Sequence, residues 1–291
     1  MAPAGLAVPA ARDADGSDVP TPTHPELLPD PDADREAMER LQHEIAERAV
    51  FADQFSFDPT AVGDEAAVER DDEVVVDDDD RQPLVAGVDQ AFLDESAVSA
   101  VVVSRGGEVV ERTHAVTELS IPYVPGLLAF REGGPIVDAL ATLDSEPDLY
   151  LFDGSGRIHY RQAGLATHVG VLYDTPAVGV AKRLLCGDLR EHTDERPAGW
   201  RTAIVADESV TAEPGTTLGY AVQTRQYDNS PVINPVYVSP GHRVSAGTSA
   251  DLVERLCAGH KLPEPTRRAD AYAEEVRDKQ TDGETNYDEP T

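Results

Sequence analysis

Asp148-Leu-Tyr-Leu-Phe-Asp153-Gly-Ser-Gly-Arg-Ile-His159 is an apolar run that ends in a carboxylate, with two glycines within the next three residues. Apolar residues bounded by glycine are typical of a buried strand, and the glycines allow the backbone to turn sharply where the strand ends. We therefore expect Asp153 at the carboxyl end of a strand, where α/β sheets usually carry their chemistry.

A second apolar run, Leu84-Val-Ala-Gly-Val-Asp89, ends in the same way. A single aspartate at a strand end often only caps a loop or the helix that follows. Two of them on neighbouring strands, Asp89 and Asp153, form a natural seat for a hard divalent cation, because such ions prefer carboxylate oxygens. The pair predicts a metal site that holds Mg²⁺, with Mn²⁺ as an alternative.

The composition limits the cellular setting and the partners. The net charge is -31, and the chain has three lysines, at 182, 261 and 279, against 21 arginines. In this it resembles proteins of extreme halophiles, in which salt screens the self-repulsion of an acidic surface. An acidic surface repels nucleic acid, but residues 154–190 carry five basic and two acidic side chains, so a nucleic-acid surface is expected there.

Other features indicate a cytoplasmic protein that does not enter membranes. The two cysteines, Cys186 and Cys257, suit a reducing compartment and fit no zinc-binding spacing. No apolar run approaches the roughly 18–20 residues that a membrane span requires. The amino-terminal end lacks the charged and apolar regions of a signal peptide.

Hydrophobic periodicity predicts one α/β domain with a mixed sheet flanked by helices. Residues 1–33 are expected to be a disordered acidic extension, 34–278 the folded domain with an acidic insert at 62–82, and 279–291 a polar tail. Three strands in hairpin order come first, over 84–92, 97–104 and 108–118. The predicted helices are 35–50, 135–143, 165–173, 248–256 and 267–277, and the remaining predicted strands are 149–152, 177–180, 202–205, 218–224 and 236–238.

Three longer strings carry a resemblance to a known family. They are Ile121-Pro-Tyr-Val-Pro-Gly-Leu-Leu-Ala-Phe-Arg-Glu132-Gly, then residues 148–182 with Ala-Thr-His168-Val-Gly, and lastly Gly241-His-Arg-Val-Ser245 followed by Leu262-Pro-Glu-Pro-Thr-Arg-Arg-Ala-Asp270. In this order and spacing the chain resembles the endonuclease V family over roughly residues 35–275. The resemblance implies a ribonuclease H-like fold and a Mg²⁺-dependent nuclease that acts on deaminated bases, chiefly hypoxanthine. It also implies hydrolysis of the second phosphodiester bond on the 3′ side of the lesion, which leaves the base in place.

The resemblance assigns catalytic roles to individual positions of this chain. Asp89 and Asp153 match metal-holding aspartates, and Glu132 matches the third acidic residue. His159 and Lys182 match positions near the scissile phosphate and the lesion pocket. Asp270 falls where ribonuclease H-like sites place a fourth acidic or histidine residue. Such a group of carboxylates repels itself without a cation, and a lysine can offset the charge that develops on a phosphate.

A substrate-binding role is implied for a second group. Pro122-Tyr123-Val124-Pro125 resembles a strand-separating wedge, in which two prolines fix the backbone and an aromatic ring fills the gap left by an extruded base. Gly126 and Gly154 would let the backbone close on a flat purine. His168 lies in a string that resembles the family's and is included among the substrate-binding residues.

Several functions remain open from the sequence. The first is repair of deoxyinosine-containing DNA by a monomeric enzyme. The second is cleavage of inosine-containing RNA, which would need contacts to the 2′-hydroxyl that a sequence does not display. A non-catalytic inosine-binding module would not need Asp89, Glu132 and Asp153 together. A resolvase or generic nuclease of the same fold would leave the Pro-Tyr-Val-Pro segment without a role.

Overall fold

A computed structural model of the chain describes residues 19–63, 82–226 and 234–285. These residues form nine strands and five α-helices, with short 3₁₀ helices at Pro25–Leu27 and Pro59–Ala61. The helices are α1 Arg35–Arg48, α2 Leu128–Leu140, α3 Leu165–Tyr173, α4 Ala246–Leu256 and α5 Glu264–Thr285. The strands are β1 Leu84–Phe92, β2 Ser96–Arg105, β3 Glu108–Glu118, β4 Leu149–Asp153, β5 Ala177–Ala181, β6 Asp188–Leu189, β7 Arg201–Val205, β8 Thr217–Val222 and β9 Val236–His242.

All nine strands join one mixed sheet in the order β3-β2-β1-β4-β5-β9-β8-β7-β6. Strands β1, β4 and β5 are parallel neighbours at its centre, and every other pair is antiparallel. The β2–β3 hairpin turns at Gly106 and Gly107, whose φ angles of 54° and 82° are those that glycine adopts readily. The predicted mixed sheet with its opening hairpins is confirmed.

The two faces of the sheet bury different helices because successive side chains of a strand point to opposite faces. On one face, Ala86, Val88, Tyr150 and Phe152 pack with residues of α2 and α3. On the other face, Val85, Leu149, Leu151, Val178 and Val180 pack with residues of α4. Helix α5 also covers that second face, over β1 and β2, where Ala273 and Val276 meet Ala91, Val98 and Ala100.

Helix α5 lies very close to β1 at Gly87. A Cβ atom on this residue would stand 2.0 Å from the carbonyl carbon of Pro265, so only glycine fits. The close approach brings the first turns of α5 directly onto the central strand. It thereby fixes the distance between α5 and β1 near Asp89.

Helix α2 differs from the sequence prediction, which placed it at 135–143. It begins at Leu128 and carries Pro135 in its interior. Proline usually starts a helix, and the preceding Gly133 and Gly134 disfavour one, so the sequence pointed to the wrong start. In the structure Gly133 faces Pro29, and a Cβ atom there would lie 2.8 Å from the proline ring. Glu132 therefore lies on a helix and not in a loop.

The predicted limits of the domain need correction at both ends. Residues 19–33 are not a disordered extension, because Leu27 is fully buried in the core and the His24 amide donates to the Leu172 carbonyl at 2.9 Å. The predicted polar tail is partly helical, since α5 continues through Thr285. Residues 1–18, most of the acidic insert (64–81), residues 227–233 and residues 286–291 lie outside the described residues. Among the helices described, none has the length and apolar character needed to cross a membrane.

Candidate active site

The strand register brings Asp89 and Asp153 together at one edge of the sheet. Val88 pairs with Phe152 in the parallel β1–β4 ladder, so the next residue on each strand lies beside the other. Both aspartates point to the sheet face that α5 covers, because they alternate with Val88 and Phe152 on the opposite face. The sequence prediction that these two carboxylates are neighbours is consistent with this register.

Asp89 is a buried carboxylate that is short of partners. Its Oδ1 accepts a hydrogen bond from the Gln90 amide at 2.7 Å, whereas Oδ2 is buried without a hydrogen-bond partner. Burial, together with the neighbouring Asp153, raises the pKa of Asp89 well above its ordinary value. A buried carboxylate in this condition is stabilised by any cation that reaches Oδ2.

Glu132 approaches the same edge from α2. Its side chain is buried, and burial raises the pKa of this carboxyl from 4.5 to about 7. The charge of Arg131 acts to lower that pKa and the charge of Asp153 to raise it, so Glu132 stands within electrostatic range of Asp153. Its helical position holds it there because α2 packs on the sheet against β2 and β3.

Lys182 follows directly on β5, and its Nζ lies 2.6 Å from Oδ2 of Asp153. Partial burial acts to lower the pKa of this lysine, but Asp153, Asp89 and Asp270 outweigh burial and hold the pKa above its ordinary value. The same interactions place Asp270, on α5, within electrostatic range of both Asp89 and Lys182. The structure thus places Asp89 and Asp153 side by side with Lys182, and it places Glu132 within electrostatic range of Asp153 and Asp270 within electrostatic range of Asp89.

The donor set at this edge suits a divalent cation. Within the residues the structure describes, no three carboxylate, histidine or cysteine groups stand close enough to enclose an ion as they are placed. Yet Oδ2 of Asp89 is buried without a hydrogen-bond partner, and Asp153 presents a carboxylate whose Oδ2 is paired with the Lys182 ammonium. Hard carboxylate oxygens of this kind are the ligands that Mg²⁺ and Mn²⁺ take.

An exposed aromatic side chain stands on the loop before α2, residues 121–126, which we call the wedge loop. Tyr123 is 62% exposed, and both flanking prolines of the loop, Pro122 and Pro125, are exposed as well. Val124 turns inward and packs with Ile121 against a small cluster formed by Met38, Leu127 and Phe130. The loop is therefore anchored from beneath while its tyrosine projects into solvent, as a wedge would require.

Gly126 closes the wedge loop with a backbone conformation that favours glycine. Its φ is 80°, and a Cβ atom here would come within 3.1 Å of the Tyr160 ring. Its carbonyl accepts hydrogen bonds from Nε2 of His159 at 3.1 Å and from Nε2 of Gln42 at 2.8 Å. Gly154 follows Asp153 and packs on Leu165, to which a Cβ atom would lie 3.1 Å away.

The two histidines proposed from the sequence are both buried. Nδ1 of His159 accepts from the Arg161 amide at 3.1 Å, so both ring nitrogens are engaged by backbone groups, and burial lowers its pKa to about 4. His159 therefore supports the wedge loop as a neutral side chain and does not touch the carboxylates through its ring nitrogens.

The predicted substrate-binding role of His168 needs correction. This residue is fully buried, its Nε2 donates to the Leu27 carbonyl at 2.7 Å, and burial lowers its pKa to about 4. It anchors residues 19–33 and offers no surface to a substrate.

Gln42 was missed by the sequence analysis. It is a fully buried polar residue on α1, next to positions whose spacing indicated an ordinary apolar helix face. The one available signal was a glutamine between Leu41 and Ile45, where the apolar stripe of an amphipathic helix lies.

Comparisons with known proteins give a consistent result. The family model for endonuclease V matches residues 69–271. Endonuclease V of Natronomonas pharaonis is 57% identical over 259 residues, covering 89% of this chain and 98% of that protein. The crystal structure of endonuclease V from Streptomyces avermitilis is 32% identical with a TM-score of 0.69, covering 89% of this chain and 98% of the other. A Ciona intestinalis endonuclease V, in complex with a 24-mer DNA that contains an inosine followed by a ribo-adenosine, is 27% identical with a TM-score of 0.63, covering 84% and 99%.

Proposed function

The chain belongs to the endonuclease V family, and we propose that it is a repair nuclease that nicks DNA next to deoxyinosine, using Mg²⁺ or Mn²⁺. The family accounts for the ribonuclease H-like sheet and for a hydrolase acting on nucleic acid. The relative from Ciona intestinalis was crystallised with inosine-containing DNA, which supports the choice of substrate. Cleavage at the second phosphodiester bond 3′ to the lesion is part of the proposal.

One juxtaposition carries the proposal. Asp89, Asp153 and Lys182 lie at one edge of the sheet, with Glu132 within electrostatic range of Asp153. The wedge loop with its exposed tyrosine begins 11 residues before Glu132 and leads into α2, the helix that carries Glu132. A nuclease that must first extrude a base needs both an aromatic group to enter the stack and a charged centre beside the phosphate. The carboxylates alone would fit any phosphodiesterase, and the tyrosine directs the proposal to a lesion.

The residues of this chain divide the chemistry among them. Asp89 and Asp153 would hold the cation, which when bound supplies activation of the attacking water and relief of charge on the leaving oxygen. Glu132, whose pKa burial raises to about 7, would accept a proton from the attacking water at neutral pH. Lys182 would leave Asp153 to offset the negative charge that grows on the phosphate oxygens. Asp270 adds negative potential beside Asp89 and so favours retention of a cation.

The wedge loop would prepare the substrate for that step. Tyr123 would stack in the gap left by the extruded base, and stacking on an aromatic ring is worth about 1–3 kcal/mol per base. Inosine pairs weakly, so its extrusion costs less than that of a normal base. Pro122 and Pro125 restrict the loop backbone before binding, which reduces the ordering entropy that the complex must overcome.

The test uses end-labelled oligonucleotides that each contain a single inosine, in DNA and in RNA form, in molar KCl with Mg²⁺. The wild type is compared with Asp153→Asn and with Asp188→Asn, which removes an exposed carboxylate on β6 and serves as a matched control. We expect a nick in DNA by the wild type and the control, none by Asp153→Asn, and none with EDTA.

Other results would change the function. Cleavage of RNA alone would assign the protein to RNA metabolism, with the same residues as its catalytic group. Cleavage of undamaged duplex at equal rate would indicate a general nuclease. Binding of inosine-containing DNA without any cleavage would make the protein a reader of the lesion.

A further inference from the structure

A buried amide on α1 reaches into the wedge loop. Gln42 has an exposed fraction of 0%, yet it lies on a helix whose other buried positions include Met38 and Ile45. Its Nε2 donates to the Gly126 carbonyl at 2.8 Å, and its Oε1 accepts from Nη1 of Arg161 at 3.2 Å. A polar side chain is costly to bury unless it is hydrogen-bonded, and here both ends of the amide are used.

Arg161 extends this contact into a closed ring. Its Nη2 lies 2.6 Å from Oε1 of Glu39, one turn before Gln42 on α1. Its backbone amide donates to Nδ1 of His159, whose Nε2 donates in turn to the Gly126 carbonyl. The ring therefore ties together α1, the wedge loop and the segment after β4, which are distant in sequence.

The carbonyl of Gly126 is the point at which the ring meets the wedge loop. It accepts from both Gln42 and His159, so both of its lone pairs are directed into the protein. Gly126 also has the φ of 80° at which the chain turns from the loop toward α2. Fixing this peptide group fixes the direction from which the preceding residues, Tyr123 among them, leave the protein surface.

We propose that Gln42 is a positioning residue for lesion capture, which holds the Gly126 peptide so that Tyr123 is presented in the orientation that enters a base stack. This inference rests on the proposed function, because it assigns Gln42 an effect on lesion recognition through the wedge. Gln42 does not touch the substrate or the carboxylates. Its loss should weaken discrimination for inosine and leave the rate of hydrolysis of bound substrate nearly unchanged.

A role in packing alone would not require an amide at this position. A methionine has a similar volume and would fill the space on α1 without a buried polar group. Glutamate keeps the shape and can still accept from Arg161, but it cannot donate to the Gly126 carbonyl and would repel it. Gln42→Met and Gln42→Glu thus remove the same contact in different ways, and His43→Gln, at an exposed neighbour on α1, serves as the control.

The measurement is the ratio of Kd for undamaged duplex to Kd for the same duplex with one inosine, by fluorescence anisotropy in EDTA. The single-turnover cleavage rate is measured separately at saturating protein with Mg²⁺. We expect both Gln42 variants to lower the Kd ratio about tenfold, which corresponds to about 1.4 kcal/mol. We expect the single-turnover rate to change less than about twofold, and His43→Gln to behave as the wild type.

A double-mutant cycle separates positioning from general stability. If Gln42 acts through the wedge, adding Gln42→Met to Tyr123→Ala should lower the Kd ratio no further. Additive losses would overturn the inference in favour of a general structural effect. An unchanged Kd ratio in both Gln42 variants, with a clear loss in Tyr123→Ala, would overturn it while the proposed function stands. A wild type that does not discriminate inosine would overturn the proposed function and this inference with it.

Discussion

Replacing Glu132 by glutamine should stabilise the metal-free protein, by an amount that depends on pH. Burial raises the pKa of this carboxyl from 4.5 to about 7, so the folded protein holds a proton that the unfolded chain has released. The stability contributed by the protonated form is complete below pH 4.5 and is lost as the pH rises through about 7. Glutamine has the same shape and never ionises, so the variant avoids that loss.

The expected size follows from the two pKa values. The difference between 4.5 and about 7 corresponds to about 3 kcal/mol of stability lost at pH 8.5, where the folded carboxyl must ionise. At pH 5.5 the same relation gives only about 1 kcal/mol. For a domain of this size each kcal/mol moves Tm by about 2–4 °C, so the variant should melt about 10 °C higher at pH 8.5 and about 3 °C higher at pH 5.5.

Thermal unfolding by circular dichroism in EDTA and constant KCl measures this directly. Glu208→Gln, which removes one exposed carboxylate from the same acidic chain, corrects for the change in net charge. Mg²⁺ should then stabilise the wild type more than Glu132→Gln if a cation offsets the buried charge. A Tm difference that does not vary between pH 5.5 and 8.5, or that Glu208→Gln reproduces, would refute the assignment of a raised pKa to Glu132.

Three further substitutions test other parts of the structure. Tyr123→Ala should weaken binding of inosine-containing duplex about tenfold, because a stacked ring is lost, and leave Tm unchanged, because the side chain is 62% exposed; a lower Tm would mean that Tyr123 packs against the protein. Gly126→Ala should cost about 1–2 kcal/mol, since an L-residue disfavours φ of 80° and the Cβ would crowd Tyr160, and chemical denaturation measures that cost. Leu27→Ala should cost about 3 kcal/mol in the same assay through the cavity it leaves; no loss would argue against packing of residues 19–33 on the domain.

Strands were the most predictable part of the fold. β1 and β3 have the bounds expected from the sequence, and α3 begins and ends at the predicted residues. In these segments the spacing of the apolar residues matches one type of structure and turn residues bound the segment, so local pattern and tertiary packing agree. In α2 they disagree: Pro135 and the glycines before it act against a helix locally, and burial of Phe130 and Ile136 outweighs them.

In the candidate site, too, a local sequence pattern predicted some residues, whereas others depend on contacts between distant parts of the chain. Asp89 and Asp153 could be placed together from the sequence because each follows a short apolar run, and such runs pair as parallel strands. Asp153 ends β4, whereas β1 continues past Asp89 to Phe92, and the two residues meet where the parallel pairing of β1 with β4 ends. Gln42 could not be found, since its partner Gly126 is distant in the chain and no local pattern links the two. His168 was misassigned because a histidine within a motif looks the same whether it faces a ligand or, as here, the carbonyl of Leu27.

The close packing of α5 on β1 has a consequence for folding during synthesis. The strands that carry Asp89 and Asp153 emerge from the ribosome long before α5, which covers β1 at Gly87 and supplies Asp270. Contacts between distant parts of a chain form late because their loop-closure entropy must be overcome first. A nascent chain that stops before α5 therefore exposes the apolar face of β1 and β2 and lacks one of its acidic residues. Such a truncated product therefore differs from the full-length protein in its exposed apolar surface as well as in its charge.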